Sequence, residues 1–138
     1  LIPVLADRGL FALNPQSSQY TLMAGGGFSI NIQNKEIDKR FLLALLNSKL
    51  LFFILCRASN KFRGGYITCT KQYFEELPIK MVNLTLQKPF IKLVDQILSA
   101  KKANPNADTK ALETEVDRLV YELYGLTDEE ISIIENFQ

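Results

Sequence analysis

The chain has 138 residues, of which 47% are hydrophobic and 22% charged, and its formal net charge is +1. This is the composition of a globular protein that buries about two-thirds of its unfolded surface. Because the chain has two cysteines and no histidine, it cannot build a zinc site of four nitrogen or sulfur ligands. Serine and cysteine hydrolase mechanisms that need an imidazole are excluded as well.

The first predicted region, residues 1–33, is a small mixed or antiparallel β portion. Apolar or alternating runs at 10–13, 20–23 and 28–32 predict short strands. A polar loop at 14–19 and a glycine-rich turn at 24–27 separate them.

The apolar block at 41–56, with 13 apolar residues out of 16, predicts a buried helix. It is shorter than the ~20 residues that span a bilayer, so we expect a core helix and no membrane span. Asp38 or Asn34 is the predicted cap, and the helix is expected to run to about Arg57. Because no basic segment precedes an apolar run at the start of the chain, no signal peptide is predicted and we expect a cytoplasmic protein.

The two cysteines are predicted to be buried thiols of a reducing compartment. Cys56 falls on the apolar helix and Cys69 on a predicted strand at 66–70. A disulfide between them is the alternative.

The segment after the apolar helix is the candidate binding surface. Residues 60–65 form a basic loop, followed by the strand at 66–70 and a helical turn at 71–76. From Arg57 to Gln72 the chain carries four basic residues and no acid. Lysine and arginine can neutralise phosphates, arginine can pair with guanine, and asparagine or glutamine can pair with adenine. The candidate DNA contacts are Arg57, Asn60, Lys61, Arg63, Tyr66, Lys71 and Gln72.

A second interpretation of this segment stays open. A basic loop after a helix C-terminus is often only solvated, because cations there suit the helix dipole. Charge distribution favours the DNA interpretation. Residues 1–80 carry ten basic against five acidic residues, and residues 81–138 carry six against ten. A basic half suits a phosphate-facing surface, and an acidic half does not.

The last region, residues 81–138, is predicted to be helical. Pro89 suits the first turn of a helix that ends near Ala103, and Asp108 or Thr109 caps the next helix after a connector at 104–108. An apolar stripe then predicts an antiparallel hairpin whose second helix packs on the first. The stripe consists of Leu112, Val116, Leu119, Val120 and Leu123.

Two local signals end this region. Gly125 is placed for a left-handed helix cap. Thr127 and Glu130 have the spacing of a capping box, which starts a final short helix. The predicted fold class is therefore α+β: a small β portion with a buried apolar helix, followed by a C-terminal α-helical hairpin.

Catalytic motifs are missing from the sequence. The run at 14–17 (Asn-Pro-Gln-Ser) lacks the second proline and the aromatic residue of the adenine-methyltransferase motif that clamps a flipped base. The glycines at 25–27 do not form a GxGxxG motif. We therefore predict a non-catalytic chain that binds no cofactor or metal of its own.

Three segments resemble one protein family. They are the run at 112–135 (with the preceding Leu-Val-Asp-Gln-Ile-Leu at 93–98), the Asn-Ser-Lys-Leu helix at 43–50, and the path from Gly-Gly-Tyr-Ile at 64–67 to Leu-Pro-Ile at 77–79. Together, over roughly residues 37–136, they resemble the TaqI-like C-terminal specificity domain of type IIG restriction-modification enzymes and related adenine-specific DNA methyltransferases.

The resemblance implies a DNA target recognition domain, in a polypeptide whose upstream part holds the methyltransferase core and in some members a nuclease. The expected partners are double-stranded DNA and that core. The parent enzyme would use S-adenosylmethionine, with or without magnesium. Residues 1–80 would be the C-terminal part of the recognition domain, and residues 81–138 a helical spacer or docking element.

Sequence-reading residues vary within this family, so only framework positions carry over, and those are structural. They are Asn47, Ser48, Gly65, Pro78, Leu123, Tyr124 and Gly125. The competing hypothesis is a helical protein–protein docking module without direct DNA contact. In that case the basic loop would be incidental.

Overall fold

A computed structural model describes residues 1–3, 5–6, 9, 11–14, 27–61 and 66–137. Four two-residue strands and six helices make up this part of the chain, which confirms the α+β class. In order, they are β1 (Ile2–Pro3), β2 (Leu5–Ala6), β3 (Gly27–Phe28), α1 (Lys39–Asn47), α2 (Lys49–Ala58), β4 (Ile67–Thr68), α3 (Lys71–Phe74), α4 (Leu84–Ala103), α5 (Lys110–Tyr124) and α6 (Asp128–Glu135).

The strands form two antiparallel pairs that tie the start of the chain to two later segments. In one pair Ile2 lies opposite Phe28, and in the other Leu5 lies opposite Thr68. The predicted strands at 28–32 and 66–70 are therefore shorter than expected, and residues 11–13 are not in a strand. Each partner supplies only two residues, and a strand extends no further than the ladder it pairs with. The predicted strand at 20–23 lies outside the described residues.

The apolar block forms two helices, so the prediction of one continuous helix is wrong. α1 and α2 meet at Ser48 with a bend of 63°. Ser48 has an extended backbone; its hydroxyl donates to Leu45 O over 2.6 Å and accepts from Leu51 N over 3.3 Å. This residue therefore ends one helix and caps the next. Asp38 caps α1, as predicted, by accepting from Arg40 N over 2.8 Å.

No single helix among the described residues is both long and apolar enough to cross a membrane. The bent pair α1–α2 reaches that length and apolarity only when its two helices are taken together. Both helices contribute fully buried side chains to the core, among them Phe41, Leu45, Leu51 and Leu55.

One hydrophobic core joins both predicted parts of the chain. α1 packs on α4, and the rings of Phe41 and Phe90 meet edge to face with centroids 5.2 Å apart. α2 packs on α5 and α6, where Val120 is fully buried. The proposed boundary at residue 80 stays a prediction, and the helices on its two sides share their apolar faces.

The helix predicted to start at Pro89 begins five residues earlier, at Leu84. Asn83 caps it by accepting from Leu86 N over 3.0 Å. Pro89 lies in the second turn, where it removes one backbone hydrogen bond. The buried Gln87 amide ties this helix to its surroundings: it accepts from Asp38 N over 2.9 Å and donates to Glu36 O and Val82 O, in the segments before α1 and α4.

The C-terminal helices follow the predicted pattern closely. α4 and α5 pack against each other, Gly125 ends α5 with a φ of 71°, and Thr127 and Glu130 complete the capping box of α6. Val116 and Val120 of the predicted stripe are buried. Leu112, Leu119 and Leu123 are only half-buried, so truncating Leu119 should cost less than truncating an enclosed leucine.

Candidate nucleic-acid interface

The candidate contacts lie on one continuous stretch, which we call the basic segment (residues 57–72). Arg57 is in the last turn of α2, Asn60 and Lys61 follow it, Tyr66 precedes β4, and Lys71 and Gln72 open α3. All six are exposed. Arg63 lies outside the described residues.

Backbone pairing brings the two ends of the basic segment together. Thr68 N donates to Asn60 O over 3.2 Å, and Lys61 pairs with Ile67 in an antiparallel bridge. Residues 60–61 therefore run beside residues 67–68, and β4 is held in turn by β2. The buried side chains of Ile67 and Cys69 anchor this turn-back in the core.

The cations of the basic segment differ in how far they are engaged. Lys71 forms an exposed ion pair at 3.2 Å with Glu75, which lies one helical turn later. Its positive charge is therefore partly neutralised. The Arg57 guanidinium lies over the Phe53 ring, 5.9 Å from the centroid. Within the described part of the chain, neither Arg57 nor Lys61 pairs with a carboxylate. These two cations are the ones best placed to bind an anion.

Two hydroxyls of the basic segment are buried without a hydrogen-bond partner among the described residues. They are Ser59 Oγ, at the end of α2, and Thr70 Oγ1, at the start of α3. Buried hydroxyls without partners are uncommon, because the lost hydration is not repaid. Among the described residues, the buried side-chain polar atoms of this segment are thus less completely hydrogen-bonded than those of the surrounding helices.

The cysteines are free and buried, as predicted. Burial raises the pKa of the Cys69 thiol to about 11. Burial also raises the pKa of Cys56, against a smaller opposing effect of the Lys61 charge. Both are therefore neutral near pH 7, which makes them poor nucleophiles and poor metal ligands. Across the described ranges, no group of three or more cysteine and acidic side chains is arranged to hold a metal ion.

The described framework positions all make structural contacts. Asn47 pairs with the backbone of Phe11 through both ends of its amide, at 3.0 and 3.1 Å. The Tyr124 hydroxyl donates to Pro78 O over 2.6 Å and accepts from Lys80 N over 3.1 Å, while Lys80 Nζ donates to Leu123 O over 2.7 Å. These contacts tie the segment after α3 to the end of α5. Gly65 lies outside the described residues.

Two basic residues that contributed to the charge count are committed elsewhere. Arg40 binds Asp38 and Asp95, and the hydrogen bonds that its guanidinium donates to Asp38 raise the pKa of the guanidinium further. Lys49 binds Glu135 of α6. Asp95 and Glu135 lie beyond residue 80, so the charge count of residues 1–80 alone overstates the uncommitted positive charge of that part of the chain.

An apolar groove was not predicted. It has a volume of about 580 Å³ and lies between the residues that follow β3, the Leu42 and Leu46 side of α1, α3 and residues 77–81. Phe28, Ile30 and Met81 line it and remain substantially exposed. The alternation at 28, 30 and 32 is the signal that could have indicated it, since alternate residues of an extended chain face the same side.

Comparison of the chain with protein-family models, with curated proteins and with solved structures finds no match.

Proposed function

We propose that this chain is a DNA target recognition domain that binds duplex DNA through the basic segment. The observation that carries the proposal is the pair Arg57 and Lys61. Both are exposed, and neither pairs with a carboxylate within the described residues. Arg57 extends from the last turn of α2, and Lys61 from the paired backbone that Ile67 and Cys69 anchor in the core. Phosphate contacts need such cations on a fixed scaffold.

The polar residues around this pair support the same proposal. Asn60 offers an exposed amide and Tyr66 an exposed aromatic ring beside the paired residues 61 and 67, and Gln72 offers a second exposed amide at the start of α3. Amides can form paired hydrogen bonds with adenine in the major groove. Phosphate binding by the cations would set the position, and these side chains would supply discrimination between sequences.

The resemblance gives the proposal its biological frame. A recognition domain of this kind directs a methyltransferase core, and in some members a nuclease, to a site in DNA. The chain itself would be non-catalytic and cytoplasmic, and S-adenosylmethionine would bind to the upstream core. The helices of residues 81–138 would serve as the spacer or docking element that carries the basic segment.

Substitution of Lys61 tests the proposal. Binding of the 138-residue chain to labelled duplexes is measured by fluorescence anisotropy over a salt series. Without a preferred site, the expected dissociation constants are on the order of 10⁻⁴–10⁻⁶ M. Lys61→Ala should weaken binding to all duplexes and lower the salt slope by about one unit, because one phosphate contact is lost.

Lys102→Ala is the matched control. It removes the same charge from an exposed position at the end of α4, in the acidic part of the chain. This variant should leave affinity and salt slope nearly unchanged. If the two variants behave alike, the basic segment is not the binding surface and the proposal fails.

A protein-docking module is the second candidate, and the apolar groove is the observation that favours it. A surface with several large exposed apolar side chains is typical of a protein contact. A module that only docks would not bind duplexes measurably. Lys61→Ala would then have no effect, whereas a charge placed in the groove, as in Ile30→Asp, would abolish partner binding.

A further inference from the structure

Arg57 belongs to a stack of three side chains that reaches the C-terminal end of the described chain. Its guanidinium lies over Phe53, one helical turn earlier in α2. The ring of Phe137 meets the Phe53 ring edge to face, with centroids 5.0 Å apart and planes at 86°. Phe53 and Phe137 are both half-buried.

The end of α6 is itself held in place by polar contacts. Glu135 accepts a hydrogen bond from Tyr121 of α5 over 2.8 Å and binds Lys49 at the start of α2. Ile134 beside it is buried in the core. Phe137 therefore contacts Phe53 from the end of a helix that is itself held against α2 and α5.

A cation over an aromatic face is attracted by the negative potential of the ring. An exposed arginine otherwise samples many rotamers, and ordering them on binding reduces affinity. A ring that restricts the guanidinium before DNA arrives reduces that loss. Phe137 can contribute without touching DNA, because its ring packs against the Phe53 ring at 86° and restricts the motion of that ring.

We propose that Phe53 and Phe137 are positioning residues that hold Arg57 ready for phosphate contact. The inference rests on the proposed DNA binding and adds to it a role for the C-terminal end of the chain. Residues 128–137 belong to the acidic half of the chain and include no lysine or arginine. Charge alone therefore does not predict that they contribute to DNA binding.

A double-mutant cycle on DNA binding tests this coupling. Phe137→Leu, which keeps an apolar side chain but removes the ring, should raise the dissociation constant roughly two- to fivefold. Arg57→Ala should raise it further and lower the salt slope by about one unit. The double variant should bind no more weakly than Arg57→Ala alone. Combined with Lys61→Ala, by contrast, the effect of Phe137→Leu should multiply in full.

Two controls separate positioning from general stabilisation. Phe137→Tyr keeps the ring and should retain wild-type affinity for DNA. Ile133→Ala alters an α6 residue that is 60% exposed and should leave the affinity unchanged. In NMR spectra, the chemical shift of the Arg57 Nε–H should change in Phe137→Leu, because the Phe53 ring takes a different orientation relative to the guanidinium. The signal of Arg40, which is held by Asp38, should not move.

The outcomes distinguish this inference from the proposed function. If Arg57→Ala and Lys61→Ala both weaken binding but Phe137→Leu has no effect or multiplies with Arg57→Ala, the positioning role is overturned and DNA binding stands. If Arg57→Ala and Lys61→Ala both leave binding unchanged, DNA binding by the basic segment fails, and the inference fails with it.

Discussion

The C-terminal helices and the basic segment differ in how their buried polar groups and their arginines are paired. In the helices, Arg118 binds both Glu115 and Glu122, and Tyr121 donates to Glu135. In the basic segment, two buried hydroxyls have no partner among the described residues, and two cations have no carboxylate. A region whose polar groups already pair with one another offers little to a polar ligand. A region with uncommitted groups gains more when a ligand binds.

The largest effect that the comparison predicts is in the helical core. Phe90 of α4 is 4% exposed and packs edge to face with Phe41. Phe90→Ala should lower the free energy of unfolding by about 3–5 kcal/mol, because a large cavity forms. Denaturant titration followed by circular dichroism measures it.

Leu86→Ala on the same helix is the control for that variant. Its side chain is 54% exposed, so we expect a change within about 0.5 kcal/mol. A small loss for Phe90→Ala would mean that α4 is not part of one cooperative core with α1.

The next largest effect concerns a buried carboxylate among the helices. Burial raises the pKa of Asp117 from 3.8 to about 6, although it accepts a hydrogen bond from Lys49 N over 2.8 Å. Because the folded-state pKa is the higher one, folding favours the protonated form. This contribution to stability is complete below pH 3.8 and is lost as the pH rises through about 6.

Asp117→Asn removes this titration and keeps an oxygen that can accept from Lys49 N. The stability of the variant relative to wild type should rise by on the order of 2 kcal/mol between about pH 4 and pH 7. Unfolding curves of both proteins at several pH values measure the difference. A difference that stays constant with pH would mean that Asp117 titrates alike in the folded and unfolded chain.

The contact between Tyr124 and the segment after α3 tests how much one polar contact of the C-terminal helices contributes to stability. Tyr124→Phe removes a hydroxyl that donates to Pro78 O and accepts from Lys80 N. The expected loss is about 1 kcal/mol, since each such bond contributes modestly in water. Thermal unfolding measures it, and Tyr73→Phe, another half-buried tyrosine, serves as the comparison.

The smallest predicted effect has the opposite sign. Thr70→Val replaces a buried hydroxyl of the basic segment, which has no partner among the described residues, by a methyl group of similar size. Because no hydrogen bond is lost, the variant should be more stable than wild type by about 0.5–1 kcal/mol. A destabilised variant would show that the hydroxyl has a partner in solution and that the segment is as well satisfied as the helices.

Local signals in the sequence predicted the helical ends well. Gly125, the Thr127 and Glu130 box and the Asp38 cap depend on residues within one turn, and all three are present. The break at Ser48 was not predicted. The Ser48 bonds that make the break are local, but the residues on either side, Asn47 and Lys49, also bind Phe11 and Asp117, which are distant in sequence.

The candidate surface was predictable in residue type and in exposure, but not in electrostatics. All six described candidates are exposed. The pairing of Lys71 with Glu75 lies one turn away and could have been inferred from the i, i+4 spacing. The stack that links Phe137 to Arg57 could not, because edge-to-face contact between residues so far apart depends on how α6 packs.

Within the described part of the chain, two side-chain amides, exposed Asn47 and buried Gln87, bond only to main-chain atoms. Asn47 binds the backbone of Phe11 and Leu43, and Gln87 binds that of Glu36, Asp38 and Val82. Every residue offers the same carbonyl, and every residue except proline the same amide N–H, so these bonds do not depend on which side chains their partners carry. Mutations can therefore accumulate in the partner segments without loosening their attachment to the helices. Such a scaffold would let the exposed segments diverge between homologues while their placement is inherited.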